Sequence, residues 1–193
     1  MAVLPILVYP DPTLKQVSKS IETFDAALSE LVSDLCQTLD SFPGCVGIAA
    51  PQVGALVRLL VIDASRNQKC TVNSGRQILI NPTLISQEGG EIAREGCLSL
   101  PDFTANVLRA KSIEVQALDQ FGQSRSLKAN DFEARVILHE MDHLDGLLFL
   151  DRVASLKTDV FRRKRYLHDA GSGSGEKKEP VPDAQSIEST SGS

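Results

Sequence analysis

The stretch His139-Glu140-Met141-Asp142-His143 constrains this chain more than any other, because H-E-x-x-H carries chemistry only on a helix. Residues four apart on a helix stand one turn above each other. The two imidazoles can therefore grip one metal ion while Glu140 sits beside it. The flanking residues fit a helix: at steps of about 100° per residue, Ile137, Met141 and Leu144 fall on one face, roughly opposite His139 and His143. Asn130 is placed to open the helix, with Glu133 as a capping-box partner, and Gly146 lies where a C-terminal glycine would end it. A helix that happens to carry two histidines is the plain alternative. The chain has 3 His, and two of them flank a Glu at this spacing, which argues against coincidence.

Two protein ligands do not complete a catalytic metal site. In the longer protease pattern H-E-x-x-H-x-x-G-x-x-H, Gly146 is at the right offset, but Phe149 occupies the third ligand position and cannot bind metal. Asp145, Asp151, Asp159 and His168 are further downstream candidates in undistinctive contexts. Cys97 is the stronger one. In Glu95-Gly96-Cys97-Leu98-Ser99-Leu100-Pro101, the Gly before Cys97 and the Pro beyond it suggest a strand end that presents a thiolate, which would complete a Cys-His-His site with one open position.

The rest of the chain reads as short strands between helices. Residues 6 to 21 look like an extended entry segment, turned by Pro10-Asp11-Pro12 and anchored by Val17 and Ile21. From about Thr23 to Asp40, Phe24, Leu28, Leu31, Leu35 and Leu39 recur at helical spacing, with Thr23 as N-cap and Pro43-Gly44 as the stop. Residues 44 to 54 form a low-bulk loop that lets a ligand approach the backbone and stiffens the segment presenting Gln52, whose amide could donate to a developing oxyanion. Strands are expected over Val57 to Ile62, Gln77 to Asn81, Thr83 to Ser86, Ile113 to Ala117 and Ser124 to Ala129, with a surface loop from Ser65 to Gly75 and a turn at Asp119-Gln120-Phe121-Gly122. Short connections make these strands antiparallel. A last helix is expected over about Ser155 to His168, with Leu156, Val160 and Leu167 on its apolar stripe. The expected fold class is α+β: antiparallel strands packed around a central metal-binding helix, with an N-terminal helix and a C-terminal helix. Residues 1–168 are expected to form the catalytic domain, and 169–193, rich in Gly, Ser and charged residues, a disordered tail.

Composition narrows the partners. A net charge of -5 argues against DNA binding through a general positive field. The lack of a long apolar run or a basic leader argues against a membrane segment. Four cysteines without C-x-x-C spacing fit a reducing cytoplasm.

Three segments, Gly47-Ile48-Ala49-Ala50-Pro51-Gln52-Val53-Gly54, Glu95-Gly96-Cys97-Leu98-Ser99 and His139-Glu140-Met141-Asp142-His143-Leu144, together resemble the three motifs of the peptide deformylases in their usual order, and the arrangement extends over residues 4 to 165. The resemblance implies that Cys97, His139 and His143 bind one divalent metal ion, that Glu140 is the acid/base, and that Gln52 and the backbone N–H of Leu98 face the oxyanion. It implies Fe(II) foremost, with Zn, Ni or Co able to use the same ligands. The implied activity is hydrolytic removal of the N-terminal formyl group from formyl-Met of nascent polypeptides, with Val46, Gly47, Ile48, Gly96, Val136 and His139 around the substrate. The basic run Arg162, Arg163, Lys164 and Arg165 is either a solvated face or a ribosome contact near the nascent-chain exit.

Three departures stand out. Cys45 replaces a usual Gly beside the substrate channel, Leu138 replaces the Gln that usually precedes the first His, and Leu108 replaces a Pro while Arg109 is retained. They bear on substrate fit more than on activity. A peptidase acting on unformylated peptides and a catalytically silent binding protein are the alternatives, separated by which peptides are cleaved.

Overall fold

Asp25, rather than Thr23, starts the first helix. Its carboxylate accepts the N–H of Leu28 at 3.0 Å, opening α1 at Ala26–Ser41 and burying Leu28, Val32, Leu35 and Leu39 along one stripe. In this computed structural model, which describes residues 2–68 and 70–163, eight strands follow. They are β1 (Gly47–Ala49), β2 (Leu59–Asp63), β3 (Arg76–Glu88), β4 (Glu91–Cys97), β5 (Leu100–Arg109), β6 (Ser112–Leu118), β7 (Ser124–Asn130) and β8 (Val160–Arg162). The second helix, α2, spans Asp131–Leu144.

The strands form a five-stranded sheet in the order β1-β2-β3-β6-β7 and a three-stranded sheet in the order β4-β5-β8, antiparallel throughout. Strand β2 is buried on both faces, which explains its unbroken apolar run. Alternation sends Leu59 and Val61 into the core shared with α1, and Leu60 and Ile62 into the core shared with α2. The expected apolar face of α2 lies in that second core: Ile137 and Leu144 are fully buried, each contributing about 1.5–3 kcal/mol. A third cluster, including Cys97, Leu100, Val107 and Phe149, lies beneath the three-stranded sheet.

Several expectations change in detail. The two strands expected on either side of Pro82 are one strand with a register shift between Ile80 and Thr83. Asn81 there has φ 49°, and its side chain bonds the backbone of Ile21 at 2.8 Å, tying down the entry segment. Ile21 is thus held, but Val17 is exposed and anchors nothing. Asn130 is the N-cap of α2 without a side-chain cap bond, and Glu133 accepts from the N–H and hydroxyl of Ser74 instead of closing a capping box. Gly146 has φ 69° and its N–H donates to the carbonyl of His143, ending α2 as expected.

The C-terminal helix is a correction. Over the described part of that span the chain turns at Ser155 to Asp159 and then pairs as β8 with Phe103, Thr104 and Ala105 of β5. The spacing of Leu156 and Val160 suits a helix, but Leu156 is exposed, and hydrogen bonds to the edge of β5 decide the outcome. Leu167, Lys164, Arg165 and the expected tail lie outside the described residues. Among the described residues, no helix is long and apolar enough to cross a membrane.

Candidate metal centre

Helix α2 places His139 and His143 one turn apart, and the end of β4 brings Cys97 to them. A register shift between Gly96 and Cys97 interrupts the pairing with β5 at that point, re-aiming the strand end toward the helix. The ligand atoms of Cys97, His139 and His143 all lie within 4.8 Å of one another, and Cys97 Sγ is 3.3 Å from His143 Nε2.

The electrostatics fit a cation. Burial opposes a charged Cys97, yet the charge of His143 and hydrogen bonds from both imidazoles hold its thiol well below the ordinary value. Burial likewise opposes a charged His139, but hydrogen bonds to Cys97 and Glu95 raise it well above the ordinary range. A thiolate facing imidazole nitrogens is a donor set in which a metal ion takes the place of protons. Glu95 completes the orientation: its Oε2 is 2.8 Å from His139 Nδ1, which leaves Nε2 of that ring for a metal.

Glu95 is buried and anchored by more than one base. Arg109 donates to it through Nε at 2.9 Å and Nη2 at 3.0 Å, and Arg135 through Nη1 at 3.0 Å. Burial pushes the Glu95 carboxyl up, but the hydrogen bonds from His139 and Arg109 prevail and draw it down to about 2. Arg109 also reaches Asp142 on α2 at 2.6 Å, and Arg152 bonds the other oxygen of Asp142 at 2.6 Å. A buried chain of alternating charge thus ties β4 and β5 to the helix that carries both histidines.

Glu140 occupies the other side. Burial pushes its carboxyl up against the pull of His139 and His143, to about 7, and Oε2 has no hydrogen-bond partner among the described residues. That orphaned oxygen, buried beside three metal-type donors, fits a site made to receive a reactant. Room for it comes from Gly47: a Cβ there would stand 2.5 Å from Glu140 Oε1. Gln52 is fixed as well. The N–H of Ala49 donates to its Oε1 at 2.9 Å, which turns Nε2 toward Ser99 Oγ at 3.1 Å and Cys97 Sγ at 3.4 Å.

A cavity of about 290 Å³ opens onto these groups. Val46, Gly47, Gln52, Gly96, Cys97, Leu98, Val136, His139 and Glu140 line it. His143 lies behind them, 1 % exposed, and Ile48 is fully buried in the core against α1, so Ile48 does not reach the cavity. Cys45 and Phe132 also line it. Of the other departures, Leu138 packs at the edge of the α2 core and Leu108 is exposed on β5, away from the cavity. Phe149 is buried and stacks on the His139 ring, with centroids 6.3 Å apart.

Sequence reasoning missed Arg109, Arg135, Asp142, Arg152 and Ser99 as supports, and assigned Glu95 no role. A carboxylate in the same short segment as a ligand cysteine was the available signal for Glu95.

The profile of the polypeptide deformylase family matches residues 3–159. A peptide deformylase of Thermodesulfovibrio yellowstonii is 40% identical over 164 residues, covering 85% of this chain and 97% of that relative. The crystal structure of a peptide deformylase from Legionella pneumophila superimposes with a TM-score of 0.73 at 36% identity, covering 80% of this chain and 88% of that one. That of a peptide deformylase from Ehrlichia chaffeensis in complex with actinonin gives 0.75 at 33% identity, covering 81% and 92%. With the family profile spanning the segments that supply Cys97, His139, His143 and Glu140, this chain belongs to the peptide deformylase family.

Proposed function

We propose that Cys97, His139 and His143 hold one divalent metal ion and that Glu140 moves the proton in removing the N-terminal formyl group from formyl-Met of newly synthesised proteins. The observation that carries this is Oε2 of Glu140, buried beside the ligands in the cavity that Cys97 and His139 line and without a hydrogen-bond partner among the described residues. When bound, the ion supplies Lewis-acid polarisation of the formyl carbonyl and acidification of water. Glu140, whose carboxyl is pushed up by burial, takes a proton from the attacking water and returns it to the departing nitrogen. Gln52 Nε2 and the backbone N–H of Leu98 donate to the oxygen on which charge develops. Removing one such donor typically costs about 3 kcal/mol. Val46, Gly47, Gly96, Val136 and Phe132 shape the pocket for the formyl-Met side chain.

Fe(II) is the proposed metal, with Zn, Ni or Co able to use the same ligands; the thiolate of Cys97 suits these borderline ions. Residues 1–168 are assigned to the catalytic domain, supported by the family match over 3–159. Residence in the cytoplasm is part of the proposal, supported by the substrate class and by four free thiols. A ribosome contact through the run Arg162, Arg163, Lys164 and Arg165 is supported by the exposure of Arg162 and Arg163; Arg163 also lines the cavity.

Anaerobically purified protein should contain about one metal ion per chain and release formate from formyl-Met peptides, and Glu140→Gln should keep the metal and lose turnover. Absence of turnover with Fe, Ni and Co loaded in turn would overturn the assignment. Cleavage of unformylated peptides would favour a peptidase.

A further inference from the structure

Two arginines at the mouth of the catalytic cavity have no role in the metal centre. Arg94 is on β4, three residues before Cys97, and Arg163 follows β8; both line the cavity. Their placement is built. The Arg94 guanidinium lies 3.5 Å above the ring of Phe161, and its Nη1 donates to Thr104 Oγ1 at 3.1 Å. Arg163 is held by its backbone N–H, which donates to the carbonyl of Asp102 at 2.7 Å, and its guanidinium lies against Gly96, where any Cβ would collide with Nη2. The short strand β8 brings both features to the mouth, Phe161 under Arg94 and Arg163 over Gly96.

The cavity's third arginine behaves differently. Arg135 is spent on Glu95 and on the carbonyl of Val107. Glu95 in turn is spent on Arg109, Arg135 and His139, so it offers no charge to the mouth. The Arg94 guanidinium meets a hydroxyl and an aromatic ring rather than a carboxylate. On a chain of net charge -5, these two guanidinium groups line the same cavity, and both residues are exposed.

We infer that Arg94 and Arg163 are specificity-determining residues that favour nascent chains with an acidic side chain at the second or third position. This rests on the deformylase assignment above. With formyl-Met in the cavity, an extended chain places those residues about 3.4 and 7 Å further along, at the mouth. A carboxylate there meets two forked donors, each able to take it bidentately. A lysine at the same position is repelled.

The test compares formyl-Met-Ala-Ser, formyl-Met-Glu-Ser, formyl-Met-Ala-Glu and formyl-Met-Ala-Lys on the metal-loaded enzyme, with formate as readout. An acidic peptide should show a KM about 3- to 10-fold below the neutral one with a similar kcat, and the Lys peptide a higher KM. Raising salt from about 20 mM to about 500 mM should compress these differences to within about twofold. The double variant Arg94→Glu with Arg163→Glu should invert the order and favour the Lys peptide. A merely structural role for the arginines would not produce that inversion. Equal KM for acidic and neutral peptides, or an acidic preference that survives charge reversal, overturns the inference and leaves the deformylase assignment standing. If no peptide is turned over, that assignment fails, and calorimetric titration of the same peptides into the Glu140→Gln protein decides the inference: tighter binding of an acidic peptide supports it, and equal binding overturns it.

Discussion

Gly47→Ala is the smallest change that should separate the fold from the chemistry. Gly47 sits in β1 opposite Ile62, and its φ is not in the left-handed region, so alanine suits the backbone. The difficulty is the space: the added methyl carbon would lie 2.5 Å from Glu140 Oε1 and 2.9 Å from Cγ and Cδ, whereas ordinary contact begins at 3.4 Å. The carboxylate must therefore retreat by about 0.9 Å, or β1 must part from α2 by that distance. A misplacement of about 1 Å in a reacting group can cost about 100-fold, or about 2.7 kcal/mol of barrier. The variant should keep its metal and a urea midpoint close to the parent's while kcat for a formyl-Met tripeptide falls by about 10- to 100-fold. Adding Gly47→Ala to Glu140→Gln should cost nothing further, because the displaced group is already inert. A kcat within about twofold of the parent at equal metal content would refute the view that Gly47 exists to admit Glu140. So would an undiminished loss in the Glu140→Gln background.

Arg109→Met should cost about 3 kcal/mol of stability by urea unfolding, the low end for breaking a buried ion pair, because Glu95 keeps Arg135 and His139, and Asp142 keeps Arg152. A loss below about 1 kcal/mol would mean that the network contributes little to stability. Burial, with the charge of Glu140 adding to it, pushes the Cys45 thiol from its ordinary 9.0 up to about 11. Between those values the folded chain keeps a proton that the unfolded chain has lost, so stability falls as pH rises through that window. Cys45→Ala should remove that part of the decline, seen as a smaller drop in urea midpoint between about pH 8 and pH 10.5 than the parent shows.

How far the fold could be read from sequence depended on whether an element's pattern was its own. Helix α2 was legible because its apolar face and its histidine face are set by local spacing, and β2 because four apolar residues in a row need burial on both faces. Strand β5 was not: Pro101 is its second residue, and the inward series Ala105, Val107, Arg109 ends on an arginine, so alternation fails as a signal. That arginine faces inward only because Glu95 and Asp142, both distant in sequence, meet it there. Strand β1 is three residues of a low-bulk segment that resembles a loop until β2 pairs with it. Strand β8 has a spacing that a helix would satisfy equally, and only β5 makes it a strand. The candidate site divides in the same way: its three motifs are short and local, whereas the residues that hold them are gathered by the fold.

Salt should separate two kinds of charge in this site. Arg109, Glu95 and Asp142 are buried, with side chains 5%, 4% and 8% exposed, and solvent ions reach them poorly. They fix β4, β5 and α2 against one another, and through His139 they fix one metal ligand. Arg94 and Arg163 lie at the open mouth of the same cavity, where screening is effective. If the buried chain positions the ligands and the rim only sorts substrates, high salt should erase discrimination between acidic and neutral peptides while the kcat for the neutral peptide holds. A parallel fall in both would mean that the rim and the metal centre are mechanically one unit, and the division into a rigid charged support and a screened entrance would not stand.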